Sequence, residues 1–380
     1  MASESVSAAT SFSSPRNYLR LFGETNGGGD REQIYNRAQA VAMARRYDTI
    51  VALRWTFEDH VRAMKAANPR LRLIVYMNGA MSKPGDRASM PESWFLHDAN
   101  GNRIRNLRFD LRYMDIGNRG WRSWVADRCA EWIRLSGFDG CFLDDLGAGN
   151  LGVNVSAWPI DPRTGRRISE YEWISYARGL QDVVHDRNRG QLITSNGLNN
   201  GSNYFRPVHA GRILDTAHGS AAEGWLRNSF APASEFRSVE RWKDDVDMLV
   251  DAGRRGRTVL AATKLWSGES RDQLRQWRRY AYASFLLGTN GDSFLNFEYS
   301  GPGKPDRPGR LDRFNLGTPR EKYTKRNGAY QRRFTRGLAI VNPGDTTVNV
   351  DLGRTYRLPS GARVTRLRMA PHSGELLRIF

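Results

Sequence analysis

The stretch Gly137-Phe138-Asp139-Gly140-Cys141-Phe142-Leu143-Asp144-Asp145-Leu146-Gly147 decides the fold. Just upstream, Trp121, Trp124, Val125, Cys129, Trp132 and Ile133 recur at helical spacing, and Gly137 supplies the stop. Gly140 to Leu143 then reads as a short apolar strand that ends in two adjacent carboxylates. In a parallel α/β protein, the loops at the carboxyl ends of strands build the functional site. Taking a carboxylate out of water is costly, so a strand ending in Asp-Asp calls for a chemical reason.

The same alternation extends in both directions. Tyr18 to Phe22, Thr49 to Leu53 and Leu71 to Met77 read as the first three strands, and Gly140 to Leu143 as the fourth. Gln191 to Ser195, His218 to Ala222, Thr258 to Thr263 and Ser293 to Phe297 follow as the fifth to eighth. Helices are expected from Arg31 to Arg46, after a Thr56 cap, from Ser169 to Asp186, along Val239, Trp242, Val246, Leu249 and Val250, and from Arg271 to Leu287. The last opens on a Ser270/Gln273 capping box. Eight strand–helix alternations predict an α/β fold of the (β/α)8 TIM-barrel type over residues 17–326, with a doubly wound sheet as the structural rival. Beyond about Tyr330 the period changes. Phe334, Leu338 to Val341, Val348 to Leu352, Val364 to Leu367 and Leu376 to Phe380 read as strands between glycine and proline turns, a small C-terminal antiparallel β-domain over 327–380. Residues 1–16, rich in Ser and Ala, read as a flexible lead-in.

Composition narrows the function. The 380 residues are 39% hydrophobic and include 11 Trp, enough for a large core. No run reaches the roughly 20 apolar residues of a membrane helix, and no signal-peptide core stands at the start. Cys129 and Cys141, the two cysteines, read as buried thiols rather than a disulfide. Net charge is +18, and seven of the 58 basic residues are lysine, leaving 51 arginines. That excess fits either a compositional bias or an anionic partner, but no nucleic-acid motif accompanies it and no nucleic acid is expected. Gly27-Gly28-Gly29 lacks the spacing of a phosphate-binding loop. The six histidines form no HExxH-like pair, so neither a metal nor another cofactor is expected.

In a barrel, polar residues at strand ends converge on one mouth. They are Trp55, Asn78, Asp144, Asp145, Asn196, Glu223, Lys264, Trp266, Asn296 and Glu298, with Trp225 beside Glu223 and with Asp110 and Asp115 in the long third loop. Two carboxylates on different strands suit glycoside cleavage. One attacks or stabilises the anomeric carbon and the other protonates the leaving oxygen. Aromatic faces stack on sugar rings, while Asn and Lys bind hydroxyls. Asp144 is the expected nucleophile and Glu223 the acid/base. Strand alternation lets one of Asp144 and Asp145 point inward without fixing which, so Asp145 stays a catalytic candidate.

The Gly137–Gly147 stretch, Ser195-Asn196-Gly197 and Glu223-Gly224-Trp225 together resemble hypothetical glycosyl hydrolase family fifteen and, more widely, the α-galactosidase superfamily of barrels. Phe95-Leu96-His97-Asp98-Ala99-Asn100-Gly101-Asn102, Met114-Asp115-Ile116-Gly117-Asn118, Val341-Asn342-Pro343-Gly344 and Pro371-His372-Ser373-Gly374 resemble that family too. The resemblance implies a nucleophilic Asp ending strand four, here Asp144, and an acid/base on strand six, here Glu223. It also implies action with retention on an α-linked poly- or oligosaccharide, anionic or amino-sugar-containing, and an extracellular or envelope location. A catalytically silent carbohydrate-binding barrel and an arginine-driven nucleic-acid or envelope-binding protein are the alternatives.

Overall fold

In the computed structural model, which describes residues 18–25, 35–207, 210–301 and 309–379, eight parallel strands pair in chain order. They are β1 (Phe22–Thr25), β2 (Thr49–Ala52), β3 (Arg72–Asn78), β4 (Gly140–Asp144), β5 (Leu192–Asn196), β6 (Gly219–Ala222), β7 (Thr258–Lys264) and β8 (Phe294–Glu298). A parallel bridge between Leu21 and Leu295, with the Leu295 amide donating to the Arg20 carbonyl at 2.8 Å, joins the last strand to the first. The sheet is therefore a near-closed barrel, not the doubly wound alternative. The first strand lies further along the chain than its apolar run suggested, because the buried Glu24 belongs to it and a charge masked the pattern.

Strand period two divides the side chains between two cores. Phe22, Val51, Ile74, Phe142, Leu192, Ala221, Leu260, Ala262 and Phe294 fill the barrel, with Tyr76 packed on them. Cys141 and Leu143, the alternate residues of β4, join the larger core between the strands and the surrounding helices. Gly140 is required where β4 approaches β5, since a Cβ there would lie 1.9 Å from the Leu192 carbonyl oxygen.

The helices are α1 (Arg37–Arg46), α2 (Val61–Ala67), α3 (Arg119–Ser136), α4 (Glu170–Arg187), α5 (Val239–Arg254) and α6 (Arg271–Gly288). Ser169 and Ser270 open α4 and α6 with complete capping boxes, and Gly137 closes α3 at a φ of 71°. Thr56 caps nothing. It sits inside a single turn, Arg54–Phe57, that precedes α2. The alternation is also less regular than eight repeats. β5 is followed by a short helix, Gly201–Phe205, and a 3-10 segment, while β8 leads only to a 3-10 turn at Arg310–Arg313 among the described residues. Residues 1–16, the Gly27–Gly29 turn, the expected helix start at 31–34, His209 and Phe380 lie outside the described residues.

A six-stranded antiparallel sheet begins at Thr324. Its strands, β9 (Thr324–Arg326), β10 (Ala329–Phe334), β11 (Gly337–Asn342), β12 (Val348–Arg357), β13 (Arg363–Met369) and β14 (Ser373–Arg378), run in the order β9-β10-β11-β14-β12-β13. Arg332 of β10 is buried and donates to the Leu286, Leu287 and Thr289 carbonyls at 3.1, 3.0 and 2.6 Å. It satisfies carbonyls left open at the end of α6, and so ties this sheet to the barrel.

The cysteines contradict the reading from sequence. Cys129 of α3 and Cys141 of β4 form a disulfide with a Cα–Cα separation of 6.1 Å. The two come together because α3 turns back at Gly137 and lies on the outer face of β4, the face to which Cys141 points. Closing so short a loop restricts the unfolded chain and is worth about 3 kcal/mol. Denatured, unreduced protein is expected to present no alkylatable thiol. The Cys129→Ser/Cys141→Ser variant is expected to unfold at lower urea by about that amount, and an alkylatable thiol or an unchanged midpoint would contradict the staple.

Candidate active site

All eight strands point their carboxyl ends at the same mouth, and the inward faces of β1, β3, β4, β5, β7 and β8 carry polar residues there. Asp144 follows Phe142 on the inward side of β4. Its Oδ2 accepts from the Tyr76 hydroxyl at 2.5 Å, and its Oδ1 accepts from the Asn196 amide and the Asp145 backbone N–H, both at 2.9 Å. Three donors hold this carboxylate in one orientation. Asp145 has a φ of 62°, so the chain leaves the strand in the left-handed region there. Its carboxylate accepts from Asn78 Nδ2 at 2.6 Å and Asn150 Nδ2 at 3.3 Å.

Two strands away, Glu223 follows the last residue of β6. Its Oε1 accepts from Lys264 Nζ at 2.8 Å, and the same ammonium donates to Glu24 Oε2 at 3.2 Å. Lys264 is buried at the end of β7, whereas the Glu223 side chain stays 44% exposed toward the cleft. A cleft of about 320 Å³ opens beside it, lined by Asp145, Asn150, Asn196 and Glu223, with Glu170 and Arg206 as an exposed ion pair. That size suits a small-molecule site.

Burial and charge set opposite trends at the two ends of the network. Burial, then the Glu223 charge, raises the Asp144 carboxyl above its ordinary value, and Tyr76 and Asn196 offset part of that. Burial, then the Asp144 charge, pushes Asp145 up well beyond the usual carboxylate range. Burial also acts to raise Glu223, but the Lys264 charge and hydrogen bond, helped by the Asn196 amide, bring it below its ordinary value. Glu24 is raised by burial despite Lys264. Burial acts to lower Lys264, and the charges of Glu223, Glu24 and Glu298 overcome that and raise it well. Asn196 therefore acts on both Asp144 and Glu223, and Lys264 on both Glu223 and Glu24.

Not every expected residue reaches this mouth. Trp225 is fully buried and donates its indole N–H to the Asp245 carbonyl at 2.9 Å, so it is a core residue and not a sugar platform. Asp115 is buried as well, held by Arg163 at 3.0 Å and by the Gly117 amide, and it shapes the third loop without facing the cleft. Asp110 is exposed and pairs with Arg112 at 3.2 Å. Asn296 is buried and donates to Glu298 at 3.3 Å. Trp55 is partly buried in the turn after β2, whereas Trp266, partly buried after β7, does stand at the mouth, its ring centre 5.1 Å from Lys264 Nζ. The fully buried tryptophans instead anchor loops, Trp121 to the Gly79 carbonyl and Trp173 to the Leu146 carbonyl, at 2.9 and 3.0 Å.

Tyr76 and Glu24 escaped the sequence reading. Tyr76 lies two residues before Asn78 and shares its inward face, a signal that was available. Glu24 was hidden because the first strand was closed at Phe22. Behind the mouth, Asp245 of α5 accepts from the Gly201 and Leu226 amides at 2.7 and 3.0 Å, and Arg237 bridges it to the Gly224 carbonyl. That clamp fixes the loop carrying Glu223 to the loop after β5.

A barrel mouth with paired carboxylates on β4 and β6 has the form of a glycoside hydrolase, and comparison with known proteins gives the same class. The chain belongs to hypothetical glycosyl hydrolase family 15, whose model matches residues 65–338. No curated protein matches it. Among solved structures it is similar to the noncanonic maltogenic α-amylase AmyB of Thermotoga neapolitana, at 11% identity and a TM-score of 0.54 over 95% of this chain and 96% of that one. It is also similar to an Anoxybacillus α-amylase, at 11% identity and a TM-score of 0.52 over 96% and 98%. A third likeness is to the α-galactosidase AgaA of Geobacillus stearothermophilus, at 10% identity and a TM-score of 0.50 over 96% of this chain and 56% of that one. At such identities the likeness establishes the shared barrel fold.

The network around Lys264 can be tested without a substrate. Replacing Lys264 with Met removes the cation that lowers Glu223, so its carboxyl is expected to titrate at higher pH than in the parent protein. Carbon-13 NMR of labelled glutamate checks this, and an unmoved or lower Glu223 titration would contradict the pairing.

Proposed function

We propose that this glycoside hydrolase cleaves an α-linked oligo- or polysaccharide with retention, Asp144 serving as nucleophile and Glu223 as acid and then base. The observation that carries the reading is the Asn196 amide, which donates to Asp144 and also lowers Glu223, so the two carboxylates share one neighbour at one mouth. The roles follow from how each is held. Asp144 is fixed through both oxygens, as an attacking group requires. Glu223 is longer, partly exposed and tethered mainly through Lys264, so it can swing to a leaving oxygen. In the resting site it is ionised. A sugar filling the mouth excludes water, and Lys264 turned fully toward Glu24 leaves Glu223 beside the Asp144 charge, where it gains the proton that an acid must carry. Attack by Asp144 on the anomeric carbon breaks the glycosidic bond as Glu223 protonates the departing oxygen. Glu223 then deprotonates the water that releases the sugar from Asp144.

The lining charges are three carboxylates, Asp145, Glu170 and Glu223, against one guanidinium, Arg206. This balance favours a neutral or amino-sugar-containing glycan over an anionic one. The Cys129–Cys141 disulfide supports work in an oxidising compartment, outside the cytoplasm. A second reading has Asp145 working with Glu223, because those two line the cleft and Asp144 does not.

The test is a glycan panel with product analysis by NMR. Asp144→Asn and Glu223→Gln are each expected to lower kcat about 100-fold to 10,000-fold with unchanged melting, and the first-formed anomer is expected to be the retained one. Loss of activity in Asp145→Asn but not in Asp144→Asn would establish the second pair instead, and an inverted product would remove the retaining mechanism. Near-normal turnover by both amide variants would remove the first assignment.

A further inference from the structure

Several aromatic side chains beside Glu223 are left open by the mechanism above. Phe230, in the loop after β6, is 51% exposed, and Phe109, at the tip of the long excursion after β3, is 50% exposed. Exposed rings of that size lose free energy in water unless something covers them. They are not scattered. Lys264 Nζ lies 5.1 Å from the Trp266 ring centre, and Trp266 and Phe230 meet edge to face at 5.4 Å. The Arg108 guanidinium lies 5.1 Å from the Phe230 ring and 5.3 Å from the Phe109 ring. The order is therefore Glu223, Lys264, Trp266, Phe230, Arg108, Phe109, a continuous line running from the carboxylates to the rim.

This line leaves Glu223 on the side away from the cleft. The cleft lining comes mainly from loops after β4 and β5, whereas Phe230 and Trp266 stand on loops after β6 and β7. Phe109 and Arg108 reach them from the excursion after β3, across the mouth. The Trp266 indole N–H is enclosed by protein and has no hydrogen-bond partner among the described residues, so any contact with a ligand is made by its part-exposed ring. The backbone of Trp266 is held in place, its amide donating to the Ser229 carbonyl at 3.1 Å, so the ring is presented on a fixed loop.

We infer that Trp266, Phe230 and Phe109, with Arg108 between the two phenyl rings, form a binding track for further pyranose rings of the glycan chain. The inference rests on the function proposed above and extends it, since it assigns a substrate of several sugars lying across Glu223. The apolar faces of successive rings stack on the aromatic faces. Arg108 donates to ring hydroxyls from between the two phenyl rings.

Affinity electrophoresis in gels containing soluble starch, dextran or guar galactomannan tests the track. The wild-type protein is expected to be retarded by at least one of them. Phe109→Ala/Phe230→Ala is expected to bind that polymer about ten-fold more weakly or worse, with unchanged melting because both rings are half-exposed. Phe109→Tyr/Phe230→Tyr keeps the rings and is expected to be retarded like the wild type. Glu223→Gln is also expected to be retarded normally, which separates binding from cleavage. Retardation that depends on the rings in a protein that cleaves nothing would leave the track standing and remove hydrolysis. Cleavage with equal retardation of the alanine variant, or no retardation of the wild type by any of the three polymers, would overturn the track.

Discussion

Asp144 stands two residues after Phe142, and Phe142 is packed inside the barrel. Everything at the mouth depends on that period of two. Once β4 turns Phe142 inward, Asp144 must also turn inward, and Cys141 and Leu143 must face α3. The same parity places Tyr76 and Asn78 on β3, Asn196 on β5, Lys264 on β7 and Glu24 on β1 around one opening. A register slip of one residue would send the acids into the layer beneath the helices, where nothing could neutralise them. The Cys129–Cys141 disulfide secures the side of β4 that must stay outward.

Electrostatics then divides the work. Around one opening the mouth holds Asp144, Asp145, Glu223 and Glu24, with Glu298 near enough to act on Lys264, the ammonium among them. The site answers its excess of negative charge in two ways. Lys264 neutralises Glu223 and Glu24 in part, and burial with mutual repulsion raises Asp144 and Asp145 above their ordinary values. Arginines do comparable work elsewhere. Arg332, Arg237 and Arg163 are bound to interior carbonyls or carboxylates, so part of the basic excess is structural.

Much of this was legible in the chain because parallel strands buried on both faces read as short apolar runs between amphipathic helices. The eight strands, the capping box at Ser270 and the change of period near Tyr330 all carry local signals. Other features do not. Glu24 breaks the apolar run of β1, and its partner Lys264 lies far along the sequence. Trp225 and Asp115 sit beside or near loop glycines like surface residues, yet partners distant in sequence draw them inward. The cysteine pair was the instructive miss. A bond from Cys141 to α3 turns Asp144 inward by parity, whereas Asp145 leaves the strand at a φ of 62° and reaches the cleft by a path that parity does not describe. Phe109 and Phe230 leave no pattern in the sequence, since only the folded loops bring them together.

In the proposed mechanism Asp144 attacks the sugar while Glu223 manages the proton. Labelling with a set of cyclitol-epoxide probes in α configuration, followed by peptide mass mapping, examines it most directly. One covalent adduct is expected, on Asp144, absent from Asp144→Asn and formed more slowly in Glu223→Gln. An adduct on Asp145 or Glu223, with Asp144 unlabelled, would contradict it.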